Sequence, residues 1–380
     1  MLQRNPLSAE KYPIDPYSPC WCKSGRKWKF CHKDREKQSP LPFGEQLHKQ
    51  AAHYRSGPCL HPEASPDSCS EATAIKSHTV QRRGGLTAVA EGGHVYSVKA
   101  GFFYIGKNDG VVTPKLVGTR DASTFPGFCN RHDTEMFRPV ETSDAPLDEW
   151  NAFLLSYRAI AYELASKGAS LASLSTRRDN TDRGAPFEKQ VAIQTFLQNE
   201  FVQTTRGMAD ARRWKDAYDA AFLARDCGGF KFYCVSFEGP LPFVVAGAFM
   251  PEYDFGGKQL QHLGTPTPAE HVAINVTLLG GRTVATFCWS DGPLKAAAGL
   301  IESLAGIPDA RKADAVLLLA IEHSENIYFR PSWWDNLSAE SRALLDAKIA
   351  GGMLTRSPDA LVETTMAVLQ GGVAQVLDRR

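Results

Sequence analysis

Four stretches in the second half of the chain, "FKFYCVSFEG" (230–239), "LPFVVAGAFM" (241–250), "HVAINVTLLG" (271–280) and "TVATFCWS" (283–290), decide the fold class. Each is rich in β-branched and aromatic residues and is bounded by Gly or Pro, the signature of short strands closed by turns. Four such runs in close succession read as four antiparallel strands. Upstream the apolar period changes. In "PLDEWNAFLLSYRAIAYELASK" (146–167), Trp150, Phe153, Leu154, Tyr157, Ile160 and Ala161 fall on one stripe at helical spacing. A second helical stretch runs from Pro186 to Ala224, with Phe187, Val191, Ile193, Phe196 and Phe201 as core candidates. The polar segment "STRRDNTDRGAP" (175–186) reads as the loop of a helical hairpin. Helices are expected again at Pro293–Ala305, Lys312–His323 and Ser338–Ala350. The class is therefore α+β: small metal-held N-terminal modules, a helical hairpin, then an antiparallel sheet with C-terminal helices.

The bulk numbers narrow the function. The chain has 380 residues, 43% hydrophobic, which allows a sizeable core and several units. Its net charge of +1 gives no whole-protein field of the kind that draws in nucleic acid. No apolar run reaches the length of a transmembrane helix, and the first residues lack the apolar centre of a signal peptide, so a cytoplasmic protein without membrane contact is expected. The expected divisions are 13–37, 55–141, 143–226 and 228–380. Residues 39–58 form a linker with a short helix near Phe43–Tyr54. Nine cysteines are too few for a disulfide scaffold, but six lie within the first 129 residues. In a reducing compartment, clustered cysteines near histidines point to metal.

The sharpest cluster is "CWCKSGRKWKFCH" (20–32). Cys20, Cys22, Cys31 and His32 give C-x-C-x8-C-H, four ligands able to close a tetrahedral zinc site around one tight turn. Gly25 is expected to supply a positive φ in that turn. So short a segment buries too little apolar surface to fold alone, so the metal must supply the energy. Four protein ligands leave no open position for catalysis. Residues 11–37 carry eight Lys/Arg against three Asp/Glu, which suggests a basic knob facing an acidic protein surface or nucleic acid. The segment resembles the SEC-C motif, the zinc-binding tail of the bacterial preprotein translocase ATPase and of many unrelated proteins. It matches C-x-C-x-S-G-x-[KR]-[YWF]-K-x-C-[CH], departing at Trp21 and Lys23, where proline and glycine are usual. The resemblance implies a docking module and no chemistry.

A second metal-rich region follows. Residues 59–98 hold Cys59, His61, Cys69, His78 and His94; "TFPGFCNRHDTEMFRPVE" (124–141) adds Cys129, His132 and Asp133. Cys129 and His132 have knuckle spacing and fit the first turn of a helix. Cys59 with Cys69, or Cys59 with His61, would complete a second zinc tetrahedron. This region resembles, at lower specificity, the treble-clef module of HNH nucleases. That resemblance implies His78 as a general base. It also implies Asp133, where the family has a metal-binding histidine, as an oxygen ligand for Mg²⁺. The family's middle asparagine has no counterpart beyond Ser123 or Thr124.

No nucleophile elbow, P-loop or dinucleotide fingerprint occurs. In "EHSENIYFRPSWWDNL" (322–337), Trp333 and Trp334 read either as a stacking pocket or as a helix end packed on the sheet. The expected function is a zinc-binding protein whose first module docks to a partner. The alternative is a metal-dependent HNH-like nuclease of a bacterial defence or stress system.

Overall fold

The four predicted strands are the centre of a larger antiparallel sheet. The computed structural model describes residues 14–98, 113–142, 144–354, 357–362, 367–369 and 371–380. Strands β1 (Lys76–His78), β2 (His94–Ser97), β3 (Lys115–Gly118) and β4 (Thr124–Pro126) precede β5 (Phe230–Phe237), β6 (Phe243–Phe249), β7 (Val272–Leu279) and β8 (Arg282–Ser290). Two further strands, β9 (Ile327–Phe329) and β10 (Val373–Arg379), come last. Among the described residues, one eight-stranded sheet has the order β10-β5-β8-β7-β6-β9-β2-β3, with every neighbouring pair antiparallel. β1 and β4 form a separate hairpin, His78 facing Thr124. Two stretches that read as short strands bounded by glycines, "GGHVYSVKA" (92–100) and "VVTPKLVGT" (111–119), supply β2 and β3 of the large sheet, and the β1–β4 hairpin stands apart. The outer ends of those two strand readings, Lys99–Ala100 and Val111–Val112, lie outside the described residues, as does the basic residue Lys11.

Among the described residues the main helices are α1 (Phe43–Ala52), α2 (Asn130–Glu141), α3 (Glu149–Asn180), α4 (Phe187–Ala224), α5 (Ala296–Ala305), α6 (Asp309–His323), α7 (Pro331–Asp335) and α8 (Ala339–Leu354), with two short helical turns, Arg82–Leu86 and Thr87–Val89, before β2. The helical hairpin is present, but α3 continues through the first half of the predicted loop and ends at Asn180. The chain divides into two compact units: Met1–Gly57 with Leu164–Arg213, and Pro58–Glu163 with Trp214–Arg380.

In the second unit the pleat sends alternate residues to opposite faces. Val235, Ile274, Val276, Phe287 and Trp289 face a core closed by Leu300, Leu304, Val316, Leu319 and Trp334. On the other face, Phe153 from α3 stacks on Tyr218 from α4 at 5.2 Å between ring centroids. The Tyr218 hydroxyl donates to Cys288 Sγ at 3.3 Å. Trp334 is fully buried against Phe329, and Trp333, half-buried, stacks on the same ring at 5.6 Å, so the tandem tryptophans sit in a short helix that Pro331 opens and pack on the sheet.

In the first unit, residues 14–38 wind through two 3₁₀ turns, Trp28–Phe30 and Arg35–Lys37. Gly25 has φ +78, as its place in the tight turn requires. The core of this segment is Cys20, Cys22, Trp28 and Cys31, with Ile14 and Trp21 packed on it. Gly184, in the α3–α4 turn, has φ +75, and a Cβ there would stand 2.9 Å from the Gln38 carbonyl oxygen. Only glycine allows that approach.

Candidate metal centres

The first candidate centre is built almost entirely by local sequence. The Cys20 amide donates to the Arg26 carbonyl at 2.8 Å, and the Lys23 amide to the Cys20 carbonyl at 3.0 Å. These bonds fold the first cysteine pair over the second ligand pair, which the Trp28–Phe30 turn presents. Cys20 Sγ and Cys31 Sγ lie 3.3 and 3.2 Å from His32 Nδ1, and Cys22 Sγ lies 3.5 Å from Cys31 Sγ. All four donor atoms are within 4.8 Å of one another and all four residues are buried. A tetrahedral ion with metal–sulfur bonds near 2.3 Å requires donor separations of about 3.6–3.8 Å, and the three short separations lie within a few tenths of an ångström of that. A disulfide does not fit: every cysteine of the chain is free, and 3.5 Å is far beyond a bond of about 2.0 Å.

The sulfurs perturb one another. Hydrogen bonds from Cys20 and Cys31 hold the Cys22 thiol far below its ordinary range. Its hydrogen bond to Cys22 pushes Cys20 far above that range. Burial alone would lower the His32 pKa, but Asp182 and the Cys22 and Cys31 sulfurs outweigh it and hold the imidazole at about 11. Protons on such donors are what a bound cation displaces.

The basic residues of the module do not all face solvent. Arg26 is exposed, and its guanidinium pairs with Asp179 at the surface. Arg35, predicted as part of the exposed positive charge, is 6% exposed and pairs with Asp182. Lys23, Lys27 and Lys33 stay exposed. Lys29 Nζ lies 3.7 Å from the Tyr17 ring centroid and 4.6 Å from that of Phe30.

The second candidate centre draws on three separate segments. Cys59, Cys69 and Cys129 place Sγ atoms 3.4, 3.7 and 3.2 Å from His132 Nδ1. The four donors again lie within 4.8 Å of one another. Cys129 precedes α2 directly, so Cys129 and His132 occupy the first turn of that helix, as their spacing predicts. The loop carrying Cys69 caps α2. Ser70 Oγ accepts from the Arg131 amide at 3.0 Å, and Glu71 Oε2 from the Asn130 amide at 2.9 Å. The Cys129 amide donates to Cys59 Sγ at 3.2 Å.

The fourth donor is Cys69, and His61 has a different place. Its ring stacks on that of His132, 4.0 Å between centroids and 6° between planes, while its Nδ1 accepts the Glu63 amide at 3.1 Å. Sequence spacing left the two residues equivalent; the stacking on His132 separates them. A residue that spacing did not single out braces the same loop. Lys215, on α4, is buried, donates to the Leu60 carbonyl at 2.7 Å and pairs with Asp219, which also accepts the Tyr157 hydroxyl.

His78 and Asp133 are brought to one region by β1, β4 and α2. His78 is half-buried, and burial lowers its pKa. Its Nε2 donates to the Thr119 carbonyl at 3.0 Å. Asp133 Oδ1 is buried without a hydrogen-bond partner, and burial raises the carboxyl pKa. A third group occupies the same region. The guanidinium of Arg158, 1% exposed, bonds Glu141 Oε1 at 2.7 Å, lies 3.9 Å from the Phe137 ring centroid and reaches within 4.0 Å of Asp133 Oδ2. Ser123, the nearest stand-in for the missing asparagine, has φ +57 and braces β1. Its hydroxyl accepts the Val80 amide at 2.9 Å, and its amide donates to the Tyr328 hydroxyl at 2.6 Å. His94 is exposed on β2, with Nδ1 donating to the Gly92 carbonyl at 2.8 Å.

No helix among the described residues is long and apolar enough to cross a membrane. No family model, curated protein or solved structure matches the chain.

Proposed function

We propose that this is a zinc-binding protein whose N-terminal module, SEC-C-like in its ligand spacing, docks to an acidic partner. The observation that carries the reading is the gathering of two separate Cys₃His donor sets, the donor atoms of each within 4.8 Å of one another. Three thiolates and an imidazole are borderline-soft ligands suited to zinc. Zinc held by four protein ligands supplies rigidity and leaves no open position for chemistry. What the first module presents is a lysine between two aromatic rings, Tyr17 and Phe30 being 60% and 69% exposed. Such a face suits a partner that offers negative charge beside flat or apolar groups.

The test uses the full zinc-loaded chain with two acidic probes, polyglutamate and a single-stranded oligonucleotide. Binding to one of them should weaken as salt rises and should be lost in the Lys27→Glu, Lys29→Glu double variant. Probe binding unaffected by the double substitution, or no binding to either probe, contradicts the docking reading.

A second reading, metal-dependent nuclease action, has one observation in its favour. His78 and Asp133 share a region, and the Nε2 bond to Thr119 leaves His78 Nδ1 as an acceptor for a proton. In that reading Asp133 offers oxygen to Mg²⁺. The neighbouring Arg158 guanidinium opposes a second cation. Magnesium-dependent cleavage of plasmid DNA that His78→Ala abolishes, with bound metal unchanged, would support it. Absence of cleavage by the wild type removes it.

A further inference from the structure

One buried carboxylate joins the first metal centre to the turn of the helical hairpin. Asp182 lies between α3 and α4, and its side chain is fully buried. Its Oδ2 is 2.7 Å from His32 Nε2 and 2.8 Å from Gln194 Nε2. Its Oδ1 accepts from Arg35 Nε at 2.8 Å and from Arg35 Nη2 at 2.6 Å. Both oxygens are thus satisfied by groups from the module and from α4, which is what a buried carboxylate needs. The join extends around it. Arg35 Nη2 also donates to the Asp179 carbonyl at 2.6 Å, the Gly184 amide donates to the Arg35 carbonyl at 3.1 Å, and Arg178 donates to the Cys22 carbonyl.

The two nitrogens of His32 have opposite tasks. Nδ1 faces the three sulfurs and must present a lone pair to an ion. The neutral imidazole that does so carries its proton on Nε2, and Asp182 is the acceptor for that proton. A carboxylate behind a ligating histidine fixes its tautomer and ring plane and raises its basicity. We propose that Asp182 is a positioning residue of the first metal centre and that, through it, ion binding and docking of the α3–α4 turn form one linked equilibrium. The inference rests on the reading of Cys20, Cys22, Cys31 and His32 as a metal centre. It adds a fifth residue, 150 positions away in sequence, that no ligand spacing contains.

The experiment is a chelator competition on the full chain loaded with Co²⁺, whose thiolate charge-transfer bands report site occupancy. Wild type, Asp182→Asn and Arg35→Met are compared, with Cys129→Ser present in each to silence the second centre. Asp182→Asn should lower cobalt affinity by roughly tenfold to a hundredfold while keeping the Cys₃His spectrum. Arg35→Met removes the ion pair but leaves the His32 contact, and should lower affinity far less. Equal losses in both variants would make Asp182 a holder of the fold only, and unchanged affinity in Asp182→Asn would overturn the inference outright. A parent chain that takes up no cobalt at Cys20 overturns the metal reading itself. A second measurement covers the case in which Asp182→Asn fails to fold. Stripping metal from the wild type should speed amide exchange over residues 178–184, and exchange there that ignores the ion contradicts the coupling.

Discussion

The two candidate centres share the donor set Cys₃His but are built in opposite ways. The first takes its ligands from thirteen consecutive residues, Cys20 to His32. The second takes them from three segments spread over Cys59 to His132. The first histidine is held by charge, Asp182 behind Nε2. The second is held by packing, the ring of His61 lying flat on that of His132. A contiguous site closes short loops and needs little else to form, so its supporting residues can come from far away. A dispersed site closes long loops, so the surrounding fold must already hold its segments close. Here β1–β4, α2 and the Lys215 contact to Leu60 hold them.

The comparison can be broken by removing one ligand from each centre. Metal contributes on the order of 10 kcal/mol to folding in short zinc peptides. Cys20→Ser should therefore unfold residues 14–38 while the eight-stranded sheet keeps its amide protection. Cys129→Ser should lower the midpoint of unfolding of the sheet-bearing unit as well. Hydrogen exchange resolved by segment distinguishes them, and identical exchange patterns in the two variants would erase the contrast.

A smaller effect sharpens the packing half. Lys215 is buried and paired with Asp219, and removing one partner of a buried pair leaves the other uncompensated. Lys215→Met should cost about 3 kcal/mol in denaturant unfolding. It should also weaken ion retention at the second centre and leave the first unchanged. Weaker retention at the first centre would show that the two centres are not independent.

The charge half predicts less in stability and more in affinity. Asp182→Asn should weaken the first centre by roughly tenfold to a hundredfold, whereas His61→Ala should weaken the second by roughly tenfold or less. Chelator competition on each variant ranks them, and the reverse order contradicts the assignment of charge to one centre and packing to the other. The smallest expected change is at the exposed ring. Phe30→Ala should move stability by no more than about 0.5 kcal/mol, since its side chain supports no core, while reducing binding to the acidic probe.

Sequence legibility follows the same division between local and distant. The first centre was readable because every donor sits in one turn. In the second, Cys129 and His132 were readable from their helical spacing, but the choice between His61 and Cys69 depends on a stack formed across 71 residues. Strands β5 to β8 were plain from long β-branched runs. β9 was missed because it has only three residues, and β10 because it is an edge strand with mostly exposed side chains. The polar end of α3 read as a loop because Arg178, Asp179 and Asn180 looked like solvent-facing residues. In the fold Arg178 reaches the Cys22 carbonyl and Asp179 pairs with Arg26. Seen from the other side, Arg35 reads as displayed charge although it is buried against Asp182, whereas Arg26 is exposed and meets Asp179 at the surface. No periodicity carries the information that two oppositely charged surface-like segments will meet.

Whether the chain holds two independent metal centres is decided by the metal content per chain, by elemental analysis of protein purified without added metal, for wild type, Cys20→Ser and Cys129→Ser. Two independent centres require two zinc ions in the wild type and one in each variant, each having lost a different centre. One ion or none in the wild type, or loss of both ions on a single substitution, would contradict two independent centres.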